Sequence, residues 1–303
     1  MNIKHLELFV RIAATHNISL AGKELNLSPA VASAYINKLE ENLGARIIHR
    51  TTRKVSLTEA GQSFLPHAEN VLSSVEAAKS AVGSGNITPQ GTLRVTAPAS
   101  FGRMHIIPAI KGFFDHYPDL KIDLRLSDSI IDMVEGGFDI AIRDANLSDS
   151  SLIAKKLARD SRIVCASPEY LKKYGTPKTP KDLPQHHCIS LMGLENWVFE
   201  TPDGPTNIKV HPSFRTDNGE AVRDACVSGI GITITSIWCS HQQLKSGKLI
   251  PILEDFPLAS PTDIWAVYPS SRLLAPKVRV FIDYLAQYYG DTPYWEQALQ
   301  QNA

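Results

Sequence analysis

The chain has 303 residues and a mass of 33.3 kDa, which at ~100–200 residues per domain predicts two domains or three. Hydrophobic residues make up 43% and charged residues 20%, an ordinary globular balance that excludes disordered, collagenous and low-complexity chains. Lys and Arg number 31, and so do Asp and Glu; a uniformly basic histone-like protein is excluded, but a local basic patch is not.

Four cysteines, at 165, 188, 226 and 239, have neither CxxC spacing nor density. Reduced thiols are expected rather than a disulfide scaffold or a zinc module. The start, Met1-Asn2-Ile3-Lys4-His5-Leu6-Glu7, carries periodic charge instead of the apolar core of a signal peptide. The longest uncharged run, Ala225 to Leu244, has about the length of a membrane span. It holds Gly229, Gly231, His241, Gln242 and Gln243, and reads as a buried strand with flanking turns. A soluble, cytoplasmic protein is expected.

Residues 1–60 carry eight Lys and Arg against five Glu, with three His, while the remainder carries 23 against 26. The positive head reads as short helices. Leu6, Phe9, Val10 and Ala13 form one apolar stripe at helical spacing. Ser19 is placed to cap a second helix running to about Leu25, and Asn26-Leu27 makes a short turn. Ser28-Pro29 supplies an N-cap followed by proline at the first helical position, where its missing N–H costs nothing. Ala32, Ile36, Leu39 and Leu43 form the buried side of this third helix, and Gly44 ends it. Two helices joined by a turn, the second with a capped and exposed start, make the helix-turn-helix pattern. Arg46 to Leu57 follows, basic and β-branched, as a two-stranded wing with Thr51–Lys54 at its tip.

Thr58 can cap a long helix over about 58–82. Phe64, Ala68, Val71, Val75, Ala78 and Val82 recur in steps of four and three, the spacing of a coiled-coil seam. Dimerisation through this seam is expected, because no other element nearby needs covering; the bland reading is an amphipathic helix packed on its own domain. Pro66 removes one backbone hydrogen bond and predicts a kink or a local opening. Gly83 to Gly91 reads as a linker.

Beyond the linker, strands at Leu93–Ala97, Lys121–Leu126, Phe138–Ile142, Arg162–Ala166, Ile230–Thr235 and Ile264–Tyr268 alternate with helices at Arg103–His116, Ser129–Glu135, Ala221–Val227 and Pro276–Tyr289. This alternation predicts a mostly parallel α/β sheet covered on both faces. Roughly 210 residues are too many for one such layer, so two lobes are expected. There is no Walker A pattern, no GxGxxG after a strand, no GxSxG and no HExxH. His186-His187-Cys188 reads as loop histidines beside a strand rather than a metal site. No catalytic residue, metal site or cofactor is expected.

Leu27-Ser28-Pro29-Ala30-Val31-Ala32-Ser33, Ile36, Leu39-Glu40, Leu43-Gly44, Arg50-Thr51-Thr52-Arg53 and Leu57-Thr58-Glu59-Ala60-Gly61 resemble the N-terminus of LysR-type transcriptional regulators. The likeness continues through Ala97-Pro98-Ala99-Ser100-Phe101-Gly102, Asp139-Ile140-Ala141-Ile142-Arg143, Asp149 to Ala154, Asp217-Asn218-Gly219 and Gly229-Ile230-Gly231-Ile232. It implies an α/β protein overall. An all-α winged helix-turn-helix head (1–60, with the helix-turn-helix at about 19–38) would lead into a dimerising linker helix (58–83) and a hinge (84–91). A two-lobed domain of the periplasmic-binding-protein type (92–303) would follow, lobe I at about 92–160 and 267–290 and lobe II at about 161–266.

Within that frame, Ser28, Pro29, Ala30 and Ser33 sit where a recognition helix meets base edges. Ala34 and Tyr35 hold positions at which the family often carries a longer polar or basic reader; Tyr35 either reads DNA or packs against the wing. Arg50, Thr52 and Arg53 face the phosphates or, at the wing tip, the minor groove. Gly22 stands where the family has alanine, and predicts a second helix loosened by up to ~1 kcal/mol.

Three helix starts, at Ser100-Phe101, at Ser127-Asp128 and at Asn218-Gly219, suit an anion such as a carboxylate in the inter-lobe cleft if they face it together, whereas any one of them alone reads first as a plain helix cap. Arg143 pairs with that ligand or with Asp144 or Asp128, and Phe199 is either a cleft wall or core. Thr235-Ser236-Ile237-Trp238 departs from the family's proline and predicts a different cleft floor. The resemblance further implies double-stranded DNA with an inverted repeat, a small-molecule effector, a homodimer or homotetramer, and RNA polymerase as partners, with no membrane. The rival readings are an α/β enzyme with a DNA-binding head, and a scaffold whose body serves oligomerisation alone.

Overall fold

A computed structural model describes residues 2–50, 55–81, 89–129, 137–145, 152–259, 262–269 and 275–300. The chain divides into two compact units, one built mainly on Met1–Thr88, the other on Pro89–Ser270 and Lys277–Ala303.

The first unit contains α1 (Ile3–Thr15), α2 (Ile18–Glu24), α3 (Pro29–Leu43), β1 (Ile48–Arg50), β2 (Val55–Leu57) and α4 (Glu59–Ala81). Asn2 caps α1. The cap of α2 is Asn17, whose side chain accepts the Leu20 N–H at 3.0 Å; this corrects the expectation for Ser19, which lies inside the first turn. Ser28 caps α3 through the Val31 N–H, with Pro29 as its first residue, and Gly44 ends it at φ +66°. Leu6, Phe9, Ile12, Ala21, Ala32, Ile36 and Leu39 are buried together. An ideal Cβ on Gly22 would stand 3.0 Å from the Ala32 Cβ. The glycine that lowers the helical propensity of α2 therefore also lets α2 and α3 approach.

The strands β1 and β2 pair antiparallel, Ile48 opposite Leu57 and Arg50 opposite Val55. Glu40 on α3 accepts the N–H groups of Ile47 and Ile48 at 3.0 and 3.2 Å, tying the base of the wing to that helix. Thr58 caps α4 through the Gly61 N–H. The helix runs unbroken past Pro66, so the expected opening is absent.

Packing of α4 overturns part of the seam. Ala68 is buried in the core of this unit, and the Phe64 ring lies 5.5 Å from that of Phe9 on α1. Both are committed to their own domain, because α1 exposes an apolar flank that α4 covers. Val71 and Ala78 are exposed and Val75 is half-buried. Val82 lies outside the described residues.

The second unit begins with β3 (Gly91–Ala97), α5 (Ala99–Phe101), a π-helical turn (Gly102–Ile106), α6 (Ile107–His116), β4 (Leu120–Leu126), β5 (Ile140–Ala145) and β6 (Leu152–Asp160). It continues through β7 (Arg162–Ala166), α7 (Pro168–Tyr174), a 3-10 turn (Pro180–Gln185), β8 (Cys188–Leu191), β9 (Asn196–Phe199), β10 (Thr206–Lys209) and β11 (Pro212–Thr216). The remainder is α8 (Gly219–Val227), β12 (Ile232–Ser236), α9 (Ile237–Lys245), β13 (Ile250–Ile252), β14 (Thr262–Pro269), α10 (Pro276–Tyr289) and α11 (Tyr294–Gln300). The helix expected at 129–135 falls almost wholly outside the described residues.

Two five-stranded sheets result, ordered β4-β3-β5-β14-β6 and β11-β8-β12-β7-β13. Each is mixed rather than mostly parallel: β3 runs parallel to β4 and β5 but β14 antiparallel to β5 and β6, and β7 runs antiparallel to β12 and β13. The chain leaves the first sheet at Asp160, enters the second at Arg162, and returns at Thr262, earlier than the expected 267. In the first lobe Phe113 on α6 meets Phe281 on α10 edge to face, 5.2 Å between centroids. At the start of α10, buried Lys277 is paired with buried Asp139 at 2.8 Å.

Among the described residues no helix is long and apolar enough to cross a membrane. The uncharged run 225–244 comprises the end of α8, β12 and most of α9, a strand flanked by helices instead of turns.

Candidate functional site

The first site is the start of α3. Ser28, Pro29, Ala30 and Ala34 are exposed and Ser33 is half-buried, while Ala32, Ile36 and Leu39 hold the opposite side in the core. The helical repeat separates the two sets: residues at i, i+4 and i+7 turn inward and their neighbours outward. Tyr35 packs on the core cluster of the head, which includes Ile48 and Leu57 at the base of the wing. Its ring lies 4.5 Å from that of His5 on α1, and the residue is half-buried. Arg50 lies in β1 opposite Val55; Thr52 and Arg53 lie outside the described residues.

The second site lies between the lobes of the larger unit, and several expected ligand contacts are made there by the protein. Asp128 accepts the Ala99 N–H at the start of α5 (2.8 Å) and the Asn218 side-chain amide (2.9 Å). Asn218 caps α8 through the Ala221 N–H. Ser100 is buried, and its hydroxyl oxygen accepts the Glu220 N–H at 3.3 Å, with Gly219 alongside. Arg103 clasps Glu220 with two donors. Ser127 accepts the Ser129 N–H in its own turn. Ser100, Asp128, Asn218 and Gly219 are thus brought together, but as an inter-lobe latch. At these helix starts the N–H groups of Ala99, Glu220 and Ala221 are already occupied, the first by the protein's own Asp128 carboxylate.

Phe101 is also corrected, and of the two alternatives for Phe199 the core is the one found. Phe199 is fully buried in the core of the second lobe with Trp197, Ile208 and Val210. Phe101 is buried edge-on against Trp238, 5.3 Å away, and near Tyr289 and Trp295. Beside it His105 is buried, with Nε2 facing the Trp238 carbonyl at 3.1 Å and Nδ1 the Tyr294 hydroxyl at 2.6 Å. A carbonyl only accepts, so Nε2 carries the proton and Nδ1 accepts from Tyr294. Burial pushes the imidazole down to about 3, and it stays neutral. Arg143 donates to the Ile142 carbonyl, and its other terminal nitrogen is buried with no hydrogen-bond partner. Desolvation lowers its pKa. It pairs with neither Asp128 nor Asp144.

Asp144 instead accepts from Arg162 at 2.8 Å, and the same guanidinium donates to Asp160 at 3.1 Å. Ser236 and Thr262 also donate to Asp160, at 3.0 and 2.7 Å. Burial, then the neighbouring Asp144 charge, push the Asp160 carboxyl up to about 7 against the pull of Arg162. This cluster sits where the chain passes from one lobe to the other.

A cavity of about 180 Å³ abuts it. Ile189, Leu191, Trp197, Val222, Ile234 and Trp238 supply apolar walls; Asp144, Arg162 and Ser236 form a polar end. Of the eight expected effector residues only Gly219 lines it. Thr235, Ser236 and Trp238, singled out as an altered cleft floor, do line it. Arg162 and Trp197 escaped the sequence reading, and Asp144 entered it only as a possible partner of Arg143, because no short-range pattern links positions on β5, β7 and β9.

Comparison with known proteins assigns both parts. Residues 3–62 match the model of the bacterial regulatory helix-turn-helix protein, lysR family, and residues 86–290 that of the LysR substrate binding domain. The HTH-type transcriptional regulator DmlR of Escherichia coli K12 is 32% identical over 95% of each chain. CrgA of Neisseria meningitidis serogroup C is 34% identical over 96% of this chain and 98% of its own. The solved structure of CrgA, a LysR-type transcriptional regulator from Neisseria meningitidis, covers 95% of this chain and 98% of its own with TM-score 0.61 at 32% identity. The full-length Vibrio cholerae virulence activator AphB covers 95% and 99% with TM-score 0.59 at 28% identity. With a capped recognition helix, a wing and a two-lobed α/β body matched along nearly their whole length, this chain belongs to the LysR family of helix-turn-helix transcriptional regulators, with a DNA-binding head and an effector-binding domain.

Proposed function

We propose that the chain binds an inverted-repeat operator in the cytoplasm as a dimer, or as a tetramer of two dimers. Its head is residues 1–60, its connecting helix 58–83 and its hinge 84–91. The single observation that carries this is the exposed, Ser28-capped start of α3 above a buried Ala32–Ile36–Leu39 face, which presents Ser33 and its neighbours to a major groove. One head makes few phosphate contacts, so two are required, with recognition helices about one DNA turn (~34 Å) or a multiple apart. With Phe64 and Ala68 in the head core, the dimer seam is reduced to Val71, Val75, Ala78 and Val82.

Residues 92–303 sense a small molecule, and the cavity beside Asp144 and Arg162 is its site. Occupancy shifts the balance between lobe or subunit arrangements and so the spacing of the heads. Whether the regulator recruits RNA polymerase follows from the operator's position.

Selection of genomic fragments bound by the purified protein, followed by footprinting, tests the operator. Arg53→Ala is expected to weaken all sequences alike and flatten the salt dependence, whereas Ser33→Ala changes base preference. Identical behaviour of the two variants refutes the division between phosphate and base contacts.

A further inference from the structure

We propose that the C-terminal segment after α10, residues 291–300, is a strap that holds the two lobes of the larger unit together, and that the lobes part only as it comes away.

The helix α10 belongs to the first lobe. Gly290, at φ +68°, ends it in the left-handed conformation that turns the chain, and α11 then packs on α9 of the second lobe. The tail thus runs from one lobe onto the other. Tyr294 touches both: its hydroxyl donates to His105 Nδ1 at 2.6 Å in the first lobe, and its ring meets His241 on α9 edge to face, 6.1 Å between centroids. Trp295 is fully buried, its ring 4.5 Å from His105 and 5.3 Å from Tyr289. Across the same boundary Trp238 on α9 meets the rings of Phe101 and His105 edge-on, and its carbonyl accepts the His105 Nε2 proton.

The turn from Ala99 to Ile106 is therefore gripped on two sides. Ser100 and Arg103 reach α8 through the polar latch, and Phe101 and His105 reach α9 and α11 through their rings. Magnitudes favour the second grip. The Arg103 side chain is 61% exposed, and exposed ion pairs stabilise weakly. A buried tryptophan removes ~150–250 Å² from water, and the Tyr294–His105 hydrogen bond adds to it.

The strap is also built to let go. Its helix has seven residues, too few to persist apart from what it packs against. Docking leaves the Trp295 indole N–H and Glu296 Oε1 buried with no hydrogen-bond partner among the described residues, a cost that vanishes when water reaches them. Release couples the unfolding of α11 to the separation of the lobes, an order–disorder step. Because α9 supplies Trp238 and Cys239 to the cavity lining, the strap also fixes one wall of that cavity, whatever the cavity binds.

Amide hydrogen exchange of the full-length protein, resolved to single residues, tests this. The Glu220 N–H is held across the lobes by Ser100, whereas the Ala221 N–H is held by Asn218 within its own lobe. Parting of the lobes exposes the first and spares the second. Trp295→Ala is expected to speed exchange at Glu220 by at least ~30-fold and Tyr294→Phe by ~2–10-fold, with Ala221 changed less than ~2-fold in both. Arg103→Ala, which removes the ion pair of the latch, is expected to give no more than ~5-fold. Tyr294→Phe removes a single hydroxyl and decides the matter alone if Trp295→Ala does not fold. Unchanged exchange at Glu220 overturns the strap. So does equal acceleration at Glu220 and Ala221, which would make the tail ordinary core whose loss unfolds the whole unit. A larger effect from Arg103→Ala than from Trp295→Ala would place the grip in the latch and overturn it as well.

Discussion

The carboxyl of Asp160 makes the stability of the larger unit depend on pH in an unusual direction. Its folded value of about 7 stands above its ordinary 3.8 because burial outweighs Arg162, which is divided between Asp160 and Asp144. A carboxyl raised in the folded state holds its proton there at pH values where the unfolded chain has released it. Between about pH 4 and 7 the folded protein therefore binds more protons, and stability falls as pH rises. At 1.36 kcal/mol per unit, the span from 3.8 to about 7 is worth ~4 kcal/mol.

Asp160→Asn copies the protonated shape and cannot ionise. The variant should match the wild type near pH 4 and exceed it by up to ~4 kcal/mol at pH 8, a midpoint difference of ~8–16 °C for a unit of this size. All four tryptophans, at 197, 238, 265 and 295, lie in the larger unit, so fluorescence-detected melting reports on it without interference from the head. Parallel pH profiles for the two proteins, or a variant less stable than wild type at pH 8, would show that the ionised pair with Arg162 dominates, and the reasoning would be refuted.

Other changes probe the scaffold. A Cβ on Gly61 would lie 2.1 Å from the Ile47 carbonyl oxygen, so Gly61→Ala should cost the head ~1–3 kcal/mol and weaken DNA binding while leaving the tryptophan-reported transition unchanged. Glu40→Ala strands the Ile47 and Ile48 N–H groups at ~1–3 kcal/mol; hydrogen exchange at those two amides should accelerate more than at Leu39. Burial holds the Cys188 and Cys239 thiols up to about 12, and the hydrogen bond with Cys226, then burial, raises Cys165 well above its ordinary value. At pH 8 about one in 10,000 of such thiols is ionised, so a disulfide reagent should modify them only as fast as the protein unfolds. Rapid labelling in the native state would contradict that environment.

Local signals made the head legible. A Ser-Pro start, a terminal glycine and an apolar repeat act within a few residues, and each finds its partner inside the same turn. Alternating strands and helices likewise announced a layered α/β body, although strand direction was misjudged, because one chain crossing from lobe to lobe and back reverses β14. Residues a few places apart did not foretell that Tyr35 lies on His5, and could not decide between seam and own-domain packing for Phe64 and Ala68, or between cleft wall and core for Phe199. The binding cleft was the least legible part. Asp128 and Asn218 meet across 90 residues and Asp160 and Ser236 across 76, and such pairs exist only after two sheets have packed. A helix cap is written in one turn of chain because its hydrogen bonds close there. A cavity is the space left between distant segments, so its charge arises when those segments come together.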